Sequence, residues 1–385
     1  MIYIHIPYCH RKCNYCAFYS AVTSGDTQPY VDALCEEIRQ RKPAEKHTVK
    51  TVYFGGGTPS LLPIAQLRQI VECISQSNFD VSQVEEVTLE CNPEDISMAY
   101  MESLRQLRFI NRISIGLQSF KDSNLRIMNR RHEASQSVRA LECVRQAGFD
   151  NVSVDLIYGL PHQTLDDWLG ELDILAGLCE HNEAIQHLSA YALTVEPHTI
   201  LDYQISHKML RPASEDVVLL QYEALHRWCS QSGFAQYEIS NYCRNGRRSI
   251  HNSNYWNRTP YWGFGTSAHS FDGVGRRWNV SDIKQYIAGV RSGEAYYESE
   301  TLSTRDVHNE YLMTALRTSA GISKSLIDSR YAGSLSKGIR KYVEGGLIIE
   351  TATHYEPTWQ ALLQADGIAS ELFEITSKGE HNVCD

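Results

Sequence analysis

The chain has 385 residues, with 36 Lys and Arg against 46 Asp and Glu, a formal net charge of −10, and 42% hydrophobic residues. These figures belong to a globular protein of one large domain and a smaller one, and they exclude a disordered, collagenous or coiled-coil chain. The acidic balance argues against broad contact with nucleic-acid phosphates. No apolar run reaches the ~18 residues of a transmembrane helix, and Met1–Pro7 has neither the basic nor the apolar region of a signal peptide, so a cytoplasmic protein is expected.

The first strand is expected at Tyr3–Ile6. Short β-rich runs ending in turn residues recur at Thr51–Phe54, Glu86–Leu89, Arg112–Ile115, Val152–Leu156 and His187–Ala192. Helical patterns alternate with them at Tyr30–Arg41, Ile64–Ser75, Met98–Leu107, Ala134–Gln146 and Asp166–Cys179. In the first of these, Val31, Leu34, Cys35 and Ile38 fall on one face at helical spacing. Six successive βα units imply parallel strands with helices packed outside. An open doubly wound sheet fits, and so does a partial, open-sided barrel with fewer than the usual eight units.

A further helix is expected at Ser214–Ser232 and a further strand at Phe234–Tyr242. Residues Asn241–Asn279 are rich in Asn, Gly, Arg and aromatics with little periodicity, which predicts a long functional loop. From Arg305 the texture changes again. Helices are expected at Arg305–Thr318, Ser323–Ser329 and Ser334–Glu344, then strands at Leu347–Glu350 and His354–Pro357 and a last helix. The chain thus divides into residues 1–240, a connecting segment 241–300, and a small winged-helix-like α+β domain over 301–385. Residues 300–385 hold 8 Lys and Arg against 12 Asp and Glu, so this last domain is expected to pack against protein rather than to bind DNA.

Eleven cysteines without a secretory signal do not make a disulfide framework. Cys35, Cys73, Cys91, Cys143, Cys179, Cys229, Cys243 and Cys384 stand singly and are expected as small apolar residues. Cys9, Cys13 and Cys16 form a C-x3-C-x2-C run directly after the first strand. Three thiolates in so short a loop can hold one corner of an iron–sulfur cluster and leave one iron open. A zinc site completed by His5 or His10 is the alternative, although zinc modules usually bring two spaced ligand pairs. A glycine run, Gly55-Gly56-Gly57-Thr58-Pro59, follows the second strand and lets backbone groups approach a ligand at a strand's C-terminal end.

This cysteine spacing resembles the signature of the radical SAM enzymes. The resemblance implies a partial (β/α)6 TIM-like barrel and a [4Fe–4S] cluster on Cys9, Cys13 and Cys16, with S-adenosylmethionine on the open iron. Tyr15, just before the third cysteine, fits the family's aromatic at that place. Over nearly the whole chain the sequence is similar to the oxygen-independent coproporphyrinogen III oxidase group. That likeness carries cofactor contacts onto Tyr3, Gly56, Gly57, Thr58, Glu90, Gln118, Arg130 and Asp155, with His269 as a weaker candidate. Carboxylates suit ribose hydroxyls, and an arginine suits a methionine carboxylate.

Two departures point within that group to its HemW-like haem chaperones. Phe18 stands where the oxidases carry a further cysteine, and only eight residues precede Cys9. A third pointer is His251-Asn252-Ser253-Asn254-Tyr255-Trp256, which matches the H-N-x-x-Y-W motif of these relatives. The resemblance implies a haem site at His251, Asn252, Tyr255 and Trp256. His251 would be the axial ligand, and Arg244, Arg247 and Arg248 lie upstream for the propionates. It also implies an electron donor for the cluster and haem-accepting proteins at the respiratory membrane. Radical oxidative decarboxylation of coproporphyrinogen III is the enzymatic alternative.

Overall fold

A computed structural model of the chain describes residues 1–22 and 25–375; Cys384 lies outside them. Six strands, β1 (Ile2–Ile6), β2 (Thr51–Gly56), β3 (Glu86–Cys91), β4 (Arg112–Gln118), β5 (Val152–Tyr158) and β6 (Ile185–Ala192), stand side by side in chain order. All five pairings are parallel. Strand residues point alternately to the two faces, and here the alternation separates two chemistries. Ile4, Phe54, Leu89, Ile113 and Val152 form one continuous rung on the outer face. They are buried beneath helices that include Gln28–Gln40 and Ile64–Ser75. Inner rungs are polar: Tyr3, Tyr53, Thr88 and Arg112 align, as do Glu90, Ser114, Ser153 and His187. The fold is the partial (β/α)6 barrel, with a polar interior open at one side.

Short strands extend both edges of this nine-stranded sheet. Trp262–Phe264 pairs parallel with β1, and Asn241–Cys243 pairs antiparallel with β6 and with Ala235–Gln236. The single strand expected at Phe234–Tyr242 is therefore a hairpin. Nor is Asn241–Asn279 a loop. It contains helix Ile250–Trp256 and strands Trp262–Phe264, His269–Phe271 and Gly275–Asn279. These elements are too short to show a period; the helix is started by Ser249, whose Oγ accepts from the Asn252 N–H at 3.3 Å.

Helix Ile250–Trp256 crosses the inner face and floors the barrel. The N–H groups of Ile250 and His251 each donate to the Glu86 carboxylate at 2.9 Å, at the start of β3. Beyond the barrel, Leu312, Leu316, Ile322, Leu335 and Ile348 belong to a second apolar cluster. It lies among helices Thr304–Leu316, Ala332–Glu344 and Ala365–Leu372 and a three-stranded antiparallel sheet. The helix expected at Ser323–Ser329 is instead strand Ile322–Ser323 and a 3-10 turn, Lys324–Leu326. Pairing of Ile322 with Tyr355, and donation from the Ser323 N–H to the Tyr311 hydroxyl at 2.7 Å, hold it extended. Among the described residues no helix is long and apolar enough to cross a membrane.

Candidate functional site

The C-terminal ends of β1 to β5 meet at the barrel mouth. There the loop after β1 is tied to the segment after β4: the Asn14 N–H donates to the Met128 carbonyl at 3.1 Å, and the Asn14 and Asn129 side-chain amides to the Ile127 and Lys12 carbonyls. Cys9, Cys13 and Cys16 lie half-buried on this loop, all as free thiols. Burial raises the pKa of Cys9 and Cys16, and the neighbouring thiols add to it.

One hydrogen-bonded chain crosses the mouth between two of these thiols. Arg130 Nη1 donates to Cys13 Sγ at 3.4 Å and Nη2 to Asn92 Oδ1 at 2.6 Å. Asn92 Nδ2 donates to Thr58 Oγ1 at 3.0 Å, and Thr58 Oγ1 donates to Cys9 Sγ at 3.6 Å. Arg130 Nη2 also reaches the Gly116 carbonyl at 2.8 Å. Its Nε is buried without a partner. An unpaired guanidinium N–H costs free energy unless something accepts from it. Tyr15 packs beside the cluster of Leu125, Met128 and Leu160.

The glycine run follows from crowding. Gly56 has φ of +112°, and a Cβ there would stand 2.5 Å from the His5 ring; at Gly57 it would stand 2.7 Å from the Tyr8 carbonyl oxygen. Only glycine lets β2 turn this closely under the cysteine loop. Glu90 then accepts from the Gly56 N–H at 3.1 Å and the Tyr53 hydroxyl at 2.7 Å. His5 Nε2 lies 3.2 Å from the Tyr19 carbonyl and its Nδ1 3.0 Å from the Tyr3 hydroxyl. A carbonyl only accepts, so Nε2 carries the proton and Nδ1 accepts from Tyr3. Gln118 has φ of +66° at an irregularity in β4, and Asp155 lies opposite Gly116 and Ser189 on the inner face.

Two carboxyls at the mouth are perturbed. Burial, reinforced by Asp155, pushes Glu90 up to about 7, and burial pushes Asp155 up to about 6. The folded protein thus keeps the Glu90 proton in a window from about 4.5 to about 7, where the unfolded chain has lost it. Stability therefore falls as pH rises through that window. Glu90→Gln should flatten this slope and stabilise the protein above pH ~7 by on the order of 3 kcal/mol. Urea unfolding of both proteins across the window checks it; parallel pH curves would refute the assignment.

The haem-motif residues take two different positions. His251 is fully buried in the floor, with Nδ1 2.8 Å from Thr51 Oγ1 and Nε2 3.1 Å from the Tyr255 hydroxyl. Burial lowers its pKa to about 3, so it is neutral at ordinary pH. Asn252 is half-buried. Trp256, at the end of the helix, packs under the Arg317 guanidinium, 5.8 Å from the ring centre. His269 is exposed and stacked on Trp278. Sequence reasoning did not single out Asn92 or Arg112. Arg112 is buried in the interior with Nε 4.0 Å from Glu86; its signal is a charged residue in the same strand parity as Ser114.

The donor set fits an iron–sulfur cluster and a zwitterionic cofactor. It offers three free thiols on one loop, a guanidinium with an unpaired N–H beside one of them, and buried polar groups below. Among the described residues, no three Cys, His, Asp or Glu side chains are drawn together tightly enough to hold a single metal ion.

Residues 3–175 match the radical SAM superfamily. The whole chain superposes on the coproporphyrinogen III oxidase of Escherichia coli, a radical SAM enzyme, with a TM-score of 0.82 at 24% identity, covering 97% of this chain and 89% of that one. This protein has the radical SAM fold. Heme chaperone HemW of Bacillus subtilis is 32% identical over 90% of this chain and 92% of its own, and that of Synechocystis 34% identical over 85% and 80%. The mitochondrial radical S-adenosyl methionine domain-containing protein 1 of Danio rerio is 31% identical over 84% and 73%. The chain belongs to the HemW family of radical SAM proteins.

Proposed function

We propose that this protein is a radical SAM-type haem chaperone, which holds a [4Fe–4S] cluster on Cys9, Cys13 and Cys16, binds S-adenosylmethionine, and passes haem to haem proteins. The observation that carries the cofactor half is the chain from Cys13 through Arg130, Asn92 and Thr58 to Cys9, with the Arg130 Nε left unpaired. The cluster supplies one-electron chemistry when reduced by a donor protein. Arg130 places positive charge beside a thiolate, and its free N–H suits a carboxylate. Glu90 and Asp155 suit hydroxyls, and Tyr3 and Tyr53, stacked with centres 6.2 Å apart, form an aromatic wall. Tyr15, Gly56, Gly57, Gln118 and His269 complete the proposed cofactor set. The haem half is supported by the HemW relatives and by the motif His251, Asn252, Tyr255 and Trp256. Ligation by His251 requires that Tyr255 release its Nε2 and that the floor open.

The test is anaerobic incubation of the reconstituted protein with S-adenosylmethionine, a reductant and coproporphyrinogen III, followed by haem transfer to an apo-haem protein. Haem transfer without decarboxylated tetrapyrrole is the expected result. Repeated turnover to protoporphyrinogen would establish the dehydrogenase reading instead.

A further inference from the structure

The cysteine loop and the segment after β4 make a cationic rim on a chain whose net charge is −10. No Asp or Glu occurs in residues 1–25 or 123–132, which together carry five Lys and Arg: Arg11, Lys12, Arg126, Arg130 and Arg131. The ties from Asn14 to Met128 and from Asn129 to Lys12 lay the two segments side by side. His10, Arg11, Arg130 and Arg131 line one small recess with Cys13. Arg130 turns inward to Cys13 Sγ. Arg11, Lys12, Arg126 and Arg131 are exposed, and among the described residues none of these four forms an ion pair in the chain.

The carboxylates around this rim have local partners of their own. Glu94, in the same recess, lies 3.3 Å from the His132 ring. Asp122 accepts from the Ala134 N–H at 2.8 Å, and Glu133 caps helix Ala134–Gln146. Four exposed cations gathered on two adjoining segments are complementary to an acidic surface. Phe18, 71% exposed on the same loop two residues past Cys16, adds an aromatic of the kind that anchors protein interfaces. The recess also borders Cys13. A one-electron carrier must bring its own cofactor close to the thiols, whereas a lipid surface has no use for that position.

We infer that this rim is the docking face for the electron donor, a small acidic carrier protein that gives up one electron at a time. The inference rests on the cluster reading above and adds to it the surface used and the partner's charge. In the transfer, the carrier's reduced cofactor loses one electron and the cluster gains it; no bond breaks and no proton moves. The net charge of the chain repels such a partner, so the rim sets the orientation of approach.

The experiment mixes the full-length, cluster-loaded protein anaerobically with photoreduced flavodoxin, an acidic carrier, and follows the reduced cluster by freeze-quench electron paramagnetic resonance. Binding of oxidised flavodoxin is read separately by calorimetry. The combined variant Lys12→Glu, Arg126→Glu, Arg131→Glu should lower both the second-order rate constant and the affinity at least ~10-fold at low ionic strength. Raising salt from ~0.01 M to ~0.3 M should slow the unaltered protein by a similar factor, because screening then cuts the reach of these charges. Lys337→Glu, on an exposed position of helix Ala332–Glu344, should leave both quantities unchanged, whereas Arg126→Glu alone should lower the rate about 3-fold. Phe18→Ala should weaken binding without altering its salt dependence. Dithionite should reduce the cluster to the same end point in every variant. Flavodoxin rates and affinities insensitive to salt and to the reversals, with dithionite reduction intact, would overturn the docking face. Binding to vesicles containing an anionic phospholipid, abolished by the same reversals while the flavodoxin rate stays unchanged, would overturn it in favour of a lipid surface. Absence of any dithionite-reducible cluster in the unaltered protein would instead sink the cluster reading.

Discussion

Replacing any one of Cys9, Cys13 or Cys16 by Ala is expected to abolish the brown chromophore of anaerobically reconstituted protein and to cut its iron and sulfide content to background. The three thiols share one loop at the barrel mouth, and among the described residues the other cysteines lie elsewhere in the fold. Cys91 ends β3 in the apolar cluster and is 3% exposed, with its Sγ directed to the Leu89 carbonyl at 3.9 Å. Cys35 and Cys73 are buried between helices Gln28–Gln40 and Ile64–Ser75. A cluster held by three thiolates has no spare protein ligand, so loss of one leaves two irons exposed to exchange. Arg130→Met should leave the cluster in place but weaken S-adenosylmethionine binding, since it removes the cation and not a ligand. Full iron and sulfide in the triple variant, or stoichiometric zinc in the unaltered protein, would refute the assignment.

The second large effect is expected at the floor. Glu86 is 2% exposed and accepts from the N–H groups of Ile250 and His251, with Ser249 Oγ 3.5 Å away. Its other neighbour is the buried Arg112 guanidinium, whose Nε has no hydrogen-bond partner and lies 4.0 Å from the carboxylate. Glu86→Ala removes the acceptor for the first turn of the floor helix and leaves a buried cation uncompensated. Loss of one partner of a buried pair costs about 3–5 kcal/mol, and denaturant unfolding of the apoprotein should show a loss of that size. Glu86→Gln keeps an acceptor of the same shape and should cost less. A loss below ~1 kcal/mol in the Ala variant would mean that water enters the floor and solvates Arg112.

The barrel is legible in the sequence because each strand alternates cleanly. In Arg112-Ile113-Ser114-Ile115, the isoleucines face helices and Arg112 and Ser114 face the interior. The same alternation placed Glu90 and Asp155 inside. What the sequence does not display is partnership across distance. Asn92 earns its role only by standing between Thr58 and Arg130, and nothing in a single asparagine before Pro93 announces that. The motif groups His251 with Tyr255 and Trp256 in one haem site, but these residues lie on a helix of seven residues. The spacing of four keeps Tyr255 against His251, which faces Thr51, while the spacing of five carries Trp256 away beneath Arg317.

The outer partner of β1 is Trp262–Phe264, with Ile2 opposite Trp262. During synthesis at ~5–20 residues per second, the ribosome delivers that partner only after some 260 further residues, roughly ten to fifty seconds after β1 itself. For that interval the nascent chain presents an open backbone edge beside the cysteine loop. Unpaired edges recruit other strands, so the youngest chains are the most exposed to aggregation, and a ribosome stalled before residue 262 should leave a product that needs a chaperone of its own.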